Sequence, residues 1–236
     1  VVLVYGTTFG FNRLNVKHVD LYFLDLPQVF EGYKIVQFSD AHVGTFDGWR
    51  MQYLQRDVDS INAQRPDLVV FTGDLQNMRP QEIAPCAATL GQLRGKDGVV
   101  SILGNHDYAD YARAEVNVKT AYEAQTRQAE ANLGWQLLLN DRRILRRGTD
   151  SLVIAGEEDH GMPPFPARGD LHKTLHGIGP RAFVVMLQHD PTAWRRHILP
   201  GCQAQLTLSG HTHNAQFSLF GWSPSRLIYR ESYGLY

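Results

Sequence analysis

Asp40-Ala41-His42, Gly73-Asp74, Gly104-Asn105-His106-Asp107, His189 and Gly210-His211-Thr212-His213 bring together carboxylate, imidazole and amide oxygen, and no cysteine lies among them. These are the groups that bind borderline divalent cations, so the chemistry they suggest is metal-assisted. Taken alone, each segment has a plainer reading. Asp-x-His or Gly-Asp serves as a loop turn or helix cap, Asp107 could be an N-cap, and two histidines in a glycine turn can be unrelated surface residues. What overrides those readings is their common position.

Each segment follows an apolar run of the kind that forms a buried strand. The runs are residues 33–38, 68–72, 99–103, 183–188 and 205–209, all rich in Val, Ile, Leu and Phe. Asp40 and His42, two residues apart on extended chain, point the same way. Every polar cluster therefore lies just past the carboxyl end of a strand, where open α/β sheets place their ligands. Helical stretches are expected over residues 49–62, 80–94 and 109–133, which gives the strand-helix alternation of an α/β fold.

The order and spacing of these motifs over residues 34–217 resemble the calcineurin-like metallophosphoesterase superfamily, most closely its membrane-anchored bacterial branch. The resemblance implies a four-layer α/β/β/α sandwich of two mixed sheets with flanking helices, the metal site lying at the strand carboxyl ends. It also implies two divalent metal ions: manganese, iron or zinc, with magnesium compatible. Asp40, His42 and His213 would hold the first with Asp74, which would bridge to a second held by Asn105, His189 and His211. His106 would stay off the metals and face the substrate. Relatives commonly carry an acidic residue after Gly-Asp that orients this histidine, whereas this chain offers Asn77, whose amide can hold the ring without stabilising an imidazolium as a carboxylate would.

Such a site has a consistent electrostatic logic. Two divalent cations against Asp40, Asp74 and a bridging hydroxide leave a net positive charge that draws phosphate. Lowering the pKa of a bound water supplies the attacking hydroxide for a phosphodiester or pyrophosphate bond, and His106 could protonate the leaving oxygen. A phosphomonoesterase or protein phosphatase of the same fold is the alternative within the class. A metal-binding scaffold without turnover is the alternative outside it, opposed by competent residues at all seven ligand positions and by the retention of His106.

The rest of the chain fits one catalytic domain over residues 1–236, with 43% hydrophobic residues, 20% charged residues and no internal repeat. A net charge of −1 argues against a dedicated nucleic-acid surface. Arg142, Arg143, Arg146 and Arg147 form the basic exception, read as a solvated hairpin face rather than a phosphate or lipid patch. Cys86 and Cys202 are read as reduced. His172 and His176 are read as surface residues, and Tyr108 as a packed aromatic or a pocket wall.

The chain opens at Val1 and holds no run of about 20 apolar residues. Residues 5–13, 26–27 and 30–33, around the entry segment 1–32, and residues 216–220 and 234–236 resemble the flanks of the catalytic domain in membrane-anchored relatives. The expectation is a membrane-associated bacterial enzyme whose anchor precedes residue 1 and whose final strands follow residue 236. The acidic, Pro-rich stretch 156–166 should border the cleft, its acids repelling a polyanion while Met162 and Phe165 contact an acyl chain or base.

Overall fold

The structure is a computed structural model that describes residues 5, 6, 10, 13–163, 165–216, 218 and 222–236. The expectations for residues 1–4, 7–9, 11–12, 164, 217 and 219–221 lie outside the described residues.

Four strands, Ile35–Phe38 (β1), Leu68–Phe71 (β2), Val99–Ser101 (β3) and Gln136–Leu137 (β4), form a parallel sheet in the order β1-β2-β3-β4. Four more, Asp141–Arg147 (β5), Asp150–Gly156 (β6), Phe183–Leu187 (β7) and Leu206–Leu208 (β8), form a second sheet in the order β5-β6-β7-β8. There β5 and β6 are antiparallel and the other pairs parallel. Only the second sheet is thus mixed, where two were expected. The antiparallel pair arises from the short β5–β6 hairpin, turned at Gly148 with φ 62°, whereas the parallel strands need crossover connections.

The alternation of side chains along the strands sorts the core into layers. Leu68 and Val70 of β2, Leu152 and Ile154 of β6, and Phe183, Val185 and Leu187 of β7 pack together between the sheets. Val69 and Phe71 point the other way, onto Leu54 and Val58 of the helix Met51–Ala63 (α1). Val153, Ala155, Val184 and Met186 point outward on the far side, onto Ile198 and partly buried Leu171, Leu175 and Trp194. Helices, sheet, sheet, helices is therefore the layer order.

The helical segments depart from expectation where proline or a left-handed residue intervenes. Residues 80–94 form 3-10 turns Pro80–Glu82 and Ala84–Cys86 and one α turn, Ala87–Leu90 (α2), because Pro85, inside the segment, lacks the N–H that a continuous helix needs. Residues 109–115 form turns starting at Ala109, φ 55°, and the helix runs only over Val116–Asn132 (α3). The five β-to-loop exits all open on one edge of the sandwich.

Candidate metal centre

Left-handed backbone builds this edge. Asp40, His42, Asp74, His211 and His213 have φ of 53°, 41°, 63°, 73° and 47°. For residues with a β-carbon such conformations cost energy and persist only where surrounding contacts over-determine them. Those contacts are present. The β1–β2 ladder continues past the strands through Asp40 N–H to Gly73 O (2.9 Å), His42 N–H to Asp74 O (3.1 Å) and Val43 N–H to Leu75 O (2.8 Å). The buried Asp107 carboxylate accepts the N–H groups of Asp74 (2.7 Å), Gly104 (2.9 Å), Leu75 (2.9 Å) and Gln76 (3.2 Å), which fixes the loop that presents Asp74. A β-carbon at Gly73, φ 95°, would strike Gly104 N at 2.5 Å and His189 Nδ1 at 2.8 Å, so the glycine is required for this close approach.

Two donor clusters result, sharing Asp74. Asp40, His42, Asp74 and His213 offer one set of ligand atoms within 4.8 Å of one another, and Asp74, His189 and His211 offer another. The Asn105 Oδ1 atom joins the second set, 3.1 Å from His189 Nε2 and 2.9 Å from His211 Nδ1.

The ring orientations test whether the donors suit cations. His189 gives its Nδ1–H to Thr72 O (2.7 Å), so its Nε2 lone pair faces Asp74 Oδ2 at 3.1 Å and Asn105 Oδ1 at 3.1 Å. His42 gives its Nδ1–H to Gln76 O (3.2 Å), and its Nε2 lies 3.0 Å from His213 Nε2, itself 3.2 Å from Asp40 Oδ1. Acceptors thus face acceptors at separations near those between ligands around one ion with bonds of about 2.0–2.2 Å. Only a cation, proton or metal, reconciles that arrangement. A main-chain carbonyl behind a ligating imidazole is also what holds the metal-facing nitrogen unprotonated.

The titration preferences agree. Burial would raise both the Asp40 and Asp74 carboxyls, yet both are lowered, Asp40 chiefly by its bond to His213 and the charge of His189, Asp74 by the charge of and bond to His189. Burial would lower His189, but Asp74 pushes it well above the usual histidine range, and the bond to Asp40 raises His213. The histidine raised in each cluster, His213 in one and His189 in the other, lies among the donors of that cluster. His42 and His211 go down, through burial first and then, for His211, the charge of His189.

His106 stands beside the clusters. Its backbone N–H bonds Asp74 Oδ1 at 2.8 Å, and its ring meets His42 edge-on with centroids 4.7 Å apart. Its Nδ1 lies 2.5 Å from Asn77 O, the main-chain carbonyl, while Asn77 Oδ1 is buried without a hydrogen-bond partner. The expected side-chain contact is therefore made by the peptide instead. The reason is Glu82, whose carboxylate accepts the N–H groups of Asn77, Met78 and Arg79 and turns the loop so that this carbonyl faces the ring.

Residues 33–215 match the profile of the calcineurin-like phosphoesterase family. The chain belongs to this family. It is 30% identical over 222 residues to the Danio rerio transmembrane protein with metallophosphoesterase domain, covering 92% of this chain and 48% of that one. It is 31% identical over 204 residues to the uncharacterized metallophosphoesterase YkuE of Bacillus subtilis, covering 84% of this chain and 64% of that one. With the UDP-2,3-diacylglucosamine pyrophosphatase LpxG of Chlamydia trachomatis it shares 28% over 241 residues, 83% of this chain and 68% of that one. The chain spans about half of the first relative and under two thirds of the second.

In this calcineurin-like phosphoesterase an aromatic rim borders the donor clusters. The stretch 156–166 does border it, since Phe165 lies 5.7 Å from Tyr111, whose ring lies 4.5 Å from that of His106. Two acids of this stretch, Glu157 and Glu158, turn into the protein rather than toward the cleft as expected, while Asp159 is buried close enough to His189 and Asp74 to feel their charge. Glu157 is buried and bonds His197 (2.7 Å), and Glu158 takes Tyr108 Oη–H (3.1 Å) and Asn140 Nδ2–H (2.6 Å). Tyr108 is packed, with the Arg168 guanidinium 4.1 Å above its ring. Within the basic hairpin face, read as solvated, Arg147 pairs with Asp97 at 3.2 Å and covers Phe30 and Tyr33. No helix among the described residues is long and apolar enough to cross a membrane. Sequence reasoning passed over Asp107, which fixes the Asp74 loop, and Tyr229, whose hydroxyl lies 3.1 Å from His211 Nε2. The signal for Asp107 was its place directly after His106; Tyr229 carried none.

Proposed function

We propose that the chain is a dinuclear-metal-dependent phosphohydrolase that cleaves a phosphodiester or pyrophosphate bond in a lipid-linked or nucleotide substrate, working in association with a membrane. The observation that carries this reading is the pair of donor clusters joined at Asp74, in which lone pairs converge on two points. Asp40, His42, His213 and Asp74 would hold one cation; Asp74, Asn105, His189 and His211 the other. Bound there, the cations supply charge neutralisation at the phosphoryl oxygens and a water acidic enough to attack phosphorus near neutral pH.

The chain's own groups supply the rest. Asp40 and Asp74 are the two charged donors among the seven, so a site loaded with two divalent ions keeps positive charge for the phosphate. Asn105 adds a ligand without adding negative charge. His106, its Nδ1–H held by the Asn77 carbonyl, has Nε2 free to carry a proton to the leaving oxygen. Tyr111 and Phe165, each 39% exposed beside His106, offer an apolar rim to the group attached to phosphorus. The pyrophosphatase name of one relative and the transmembrane name of another support the substrate class and the membrane setting.

The test is elemental analysis coupled to hydrolysis of bis-p-nitrophenyl phosphate and p-nitrophenyl phosphate with and without manganese. Two metals per chain with diester turnover is the expected result. Absence of bound metal would overturn the site, and faster turnover of the monoester would move the reading to a phosphomonoesterase. His106→Ala is expected to keep both metals and lose roughly 10²- to 10⁴-fold in turnover. Equal rates would remove His106 from the reaction.

A further inference from the structure

His42 and His189 are each held in the metal-binding tautomer by a main-chain carbonyl, Gln76 O and Thr72 O. Among the described residues His211 meets no such carbonyl. Its Nδ1 faces Asn105 Oδ1 at 2.9 Å and His189 Nε2 at 3.3 Å, while its Nε2 lies 3.1 Å from the Tyr229 hydroxyl. The two rings meet edge-on with centroids 5.5 Å apart.

We infer that Tyr229 is the positioning residue for the second cation: its hydroxyl oxygen accepts the His211 Nε2–H and so keeps the Nδ1 lone pair directed at Asn105 and His189. An imidazole has one proton to place when neutral, and a partner on one nitrogen decides which nitrogen ligates. A hydroxyl can also donate, but with a cation at Nδ1 the proton of a neutral ring must sit on Nε2, and the phenol oxygen then serves as acceptor.

The segment carrying Tyr229 is tied to the His211–Asn214 turn at several points, which is why it can hold that ring. Thr212 Oγ1–H bonds Ser232 O at 2.6 Å, Ser223 Oγ–H bonds Asn214 O at 2.5 Å, and Ser225 Oγ–H bonds Asn214 Oδ1 at 3.3 Å. Tyr229 N–H closes back on Ser225 O at 2.7 Å. Ser223, Ser225 and Ser232 are buried, so these bonds are sheltered from water. The far end of the chain thereby reaches the metal centre through one phenol.

This inference rests on the dinuclear reading, and manganese titration of the full chain separates the two. Manganese binding is followed by calorimetry and by the electron paramagnetic resonance signature of a spin-coupled manganese pair, in the wild type and in Tyr229→Phe, which keeps the ring and its packing. The expected result is two cations and a coupled pair in the wild type. In Tyr229→Phe one site should lose roughly 10- to 100-fold in affinity, with the coupled signal lost at low manganese, while the other site and the melting temperature of the metal-free protein stay put. Two unchanged affinities in Tyr229→Phe would overturn the role of Tyr229. Equal loss at both sites, or a lowered metal-free melting temperature, would overturn it in favour of a purely structural tyrosine. A wild type that binds fewer than two cations would instead overturn the dinuclear reading.

Discussion

Asp107 shows how one side chain without a place among the ligands can govern them. Its two oxygens each serve two backbone N–H groups, Oδ2 those of Asp74 and Gly104 and Oδ1 those of Leu75 and Gln76. In Asp107→Asn one oxygen becomes a donor, so either rotamer leaves two buried N–H groups without an acceptor. Metal-free stability should fall by about 1–3 kcal/mol for each orphaned group, read from urea unfolding. Because the loop presents Asp74 to both clusters, cation affinity should fall as well, and a variant with wild-type affinity would show that Asp107 does not position the loop. Asn77 teaches a related lesson, since its contribution to His106 is made by the peptide carbonyl and should survive substitution of the side chain.

At the scale of elements, α3 and β3 meet through a buried acid. Glu130 is fully buried, receives the Ser101 hydroxyl hydrogen on Oε2, and leaves Oε1 without a partner. Burial pushes its carboxyl well above the usual 4.5, the nearby Asp107 adds to the rise, and the Ser101 bond opposes it. A group raised on folding contributes stability that is complete below its unfolded value and is lost as pH rises towards its folded value. The metal-free protein should therefore lose stability from about pH 5 upward through this residue. Glu130→Gln, which resembles the protonated acid and has no proton to give up, should flatten that loss. Urea unfolding at several pH values checks it, and parallel curves for the two proteins would count against a protonated Glu130.

The whole molecule matters because neither sheet carries a complete site. Asp40, His42, Asp74 and Asn105 leave the first sheet, while His189, His211 and His213 leave the second. The layer between the sheets therefore sets the distance between the two halves of the ligand set. Ile154→Ala removes a fully buried side chain from that layer and should cost about 2–5 kcal/mol in urea unfolding. Cations bridging the halves would bind the folded chain alone, so manganese at about 100 times its dissociation constant should stabilise by about 2.7 kcal/mol per site. A melting temperature that rises with manganese and falls back on chelation is the expected result. One indifferent to both would show that no ion joins the sheets.

Much of this architecture was legible in the chain itself. Apolar runs such as 68–72 and 183–188 announced buried strands because continuous β-branched and aromatic sequence has few other uses, and the polar segments after them announced a shared edge. The family followed from the types, order and spacing of those segments, which are local properties. Helix limits were less legible, since Pro85 and the left-handed Ala109 act through backbone geometry that periodicity does not register. The inward turn of Glu157 onto His197, the fourfold use of Asp107 and the reach of Tyr229 to His211 were decided only in three dimensions. Each depends on partners distant in the chain, and a sequence states which groups a residue carries, whereas the fold alone states what those groups face.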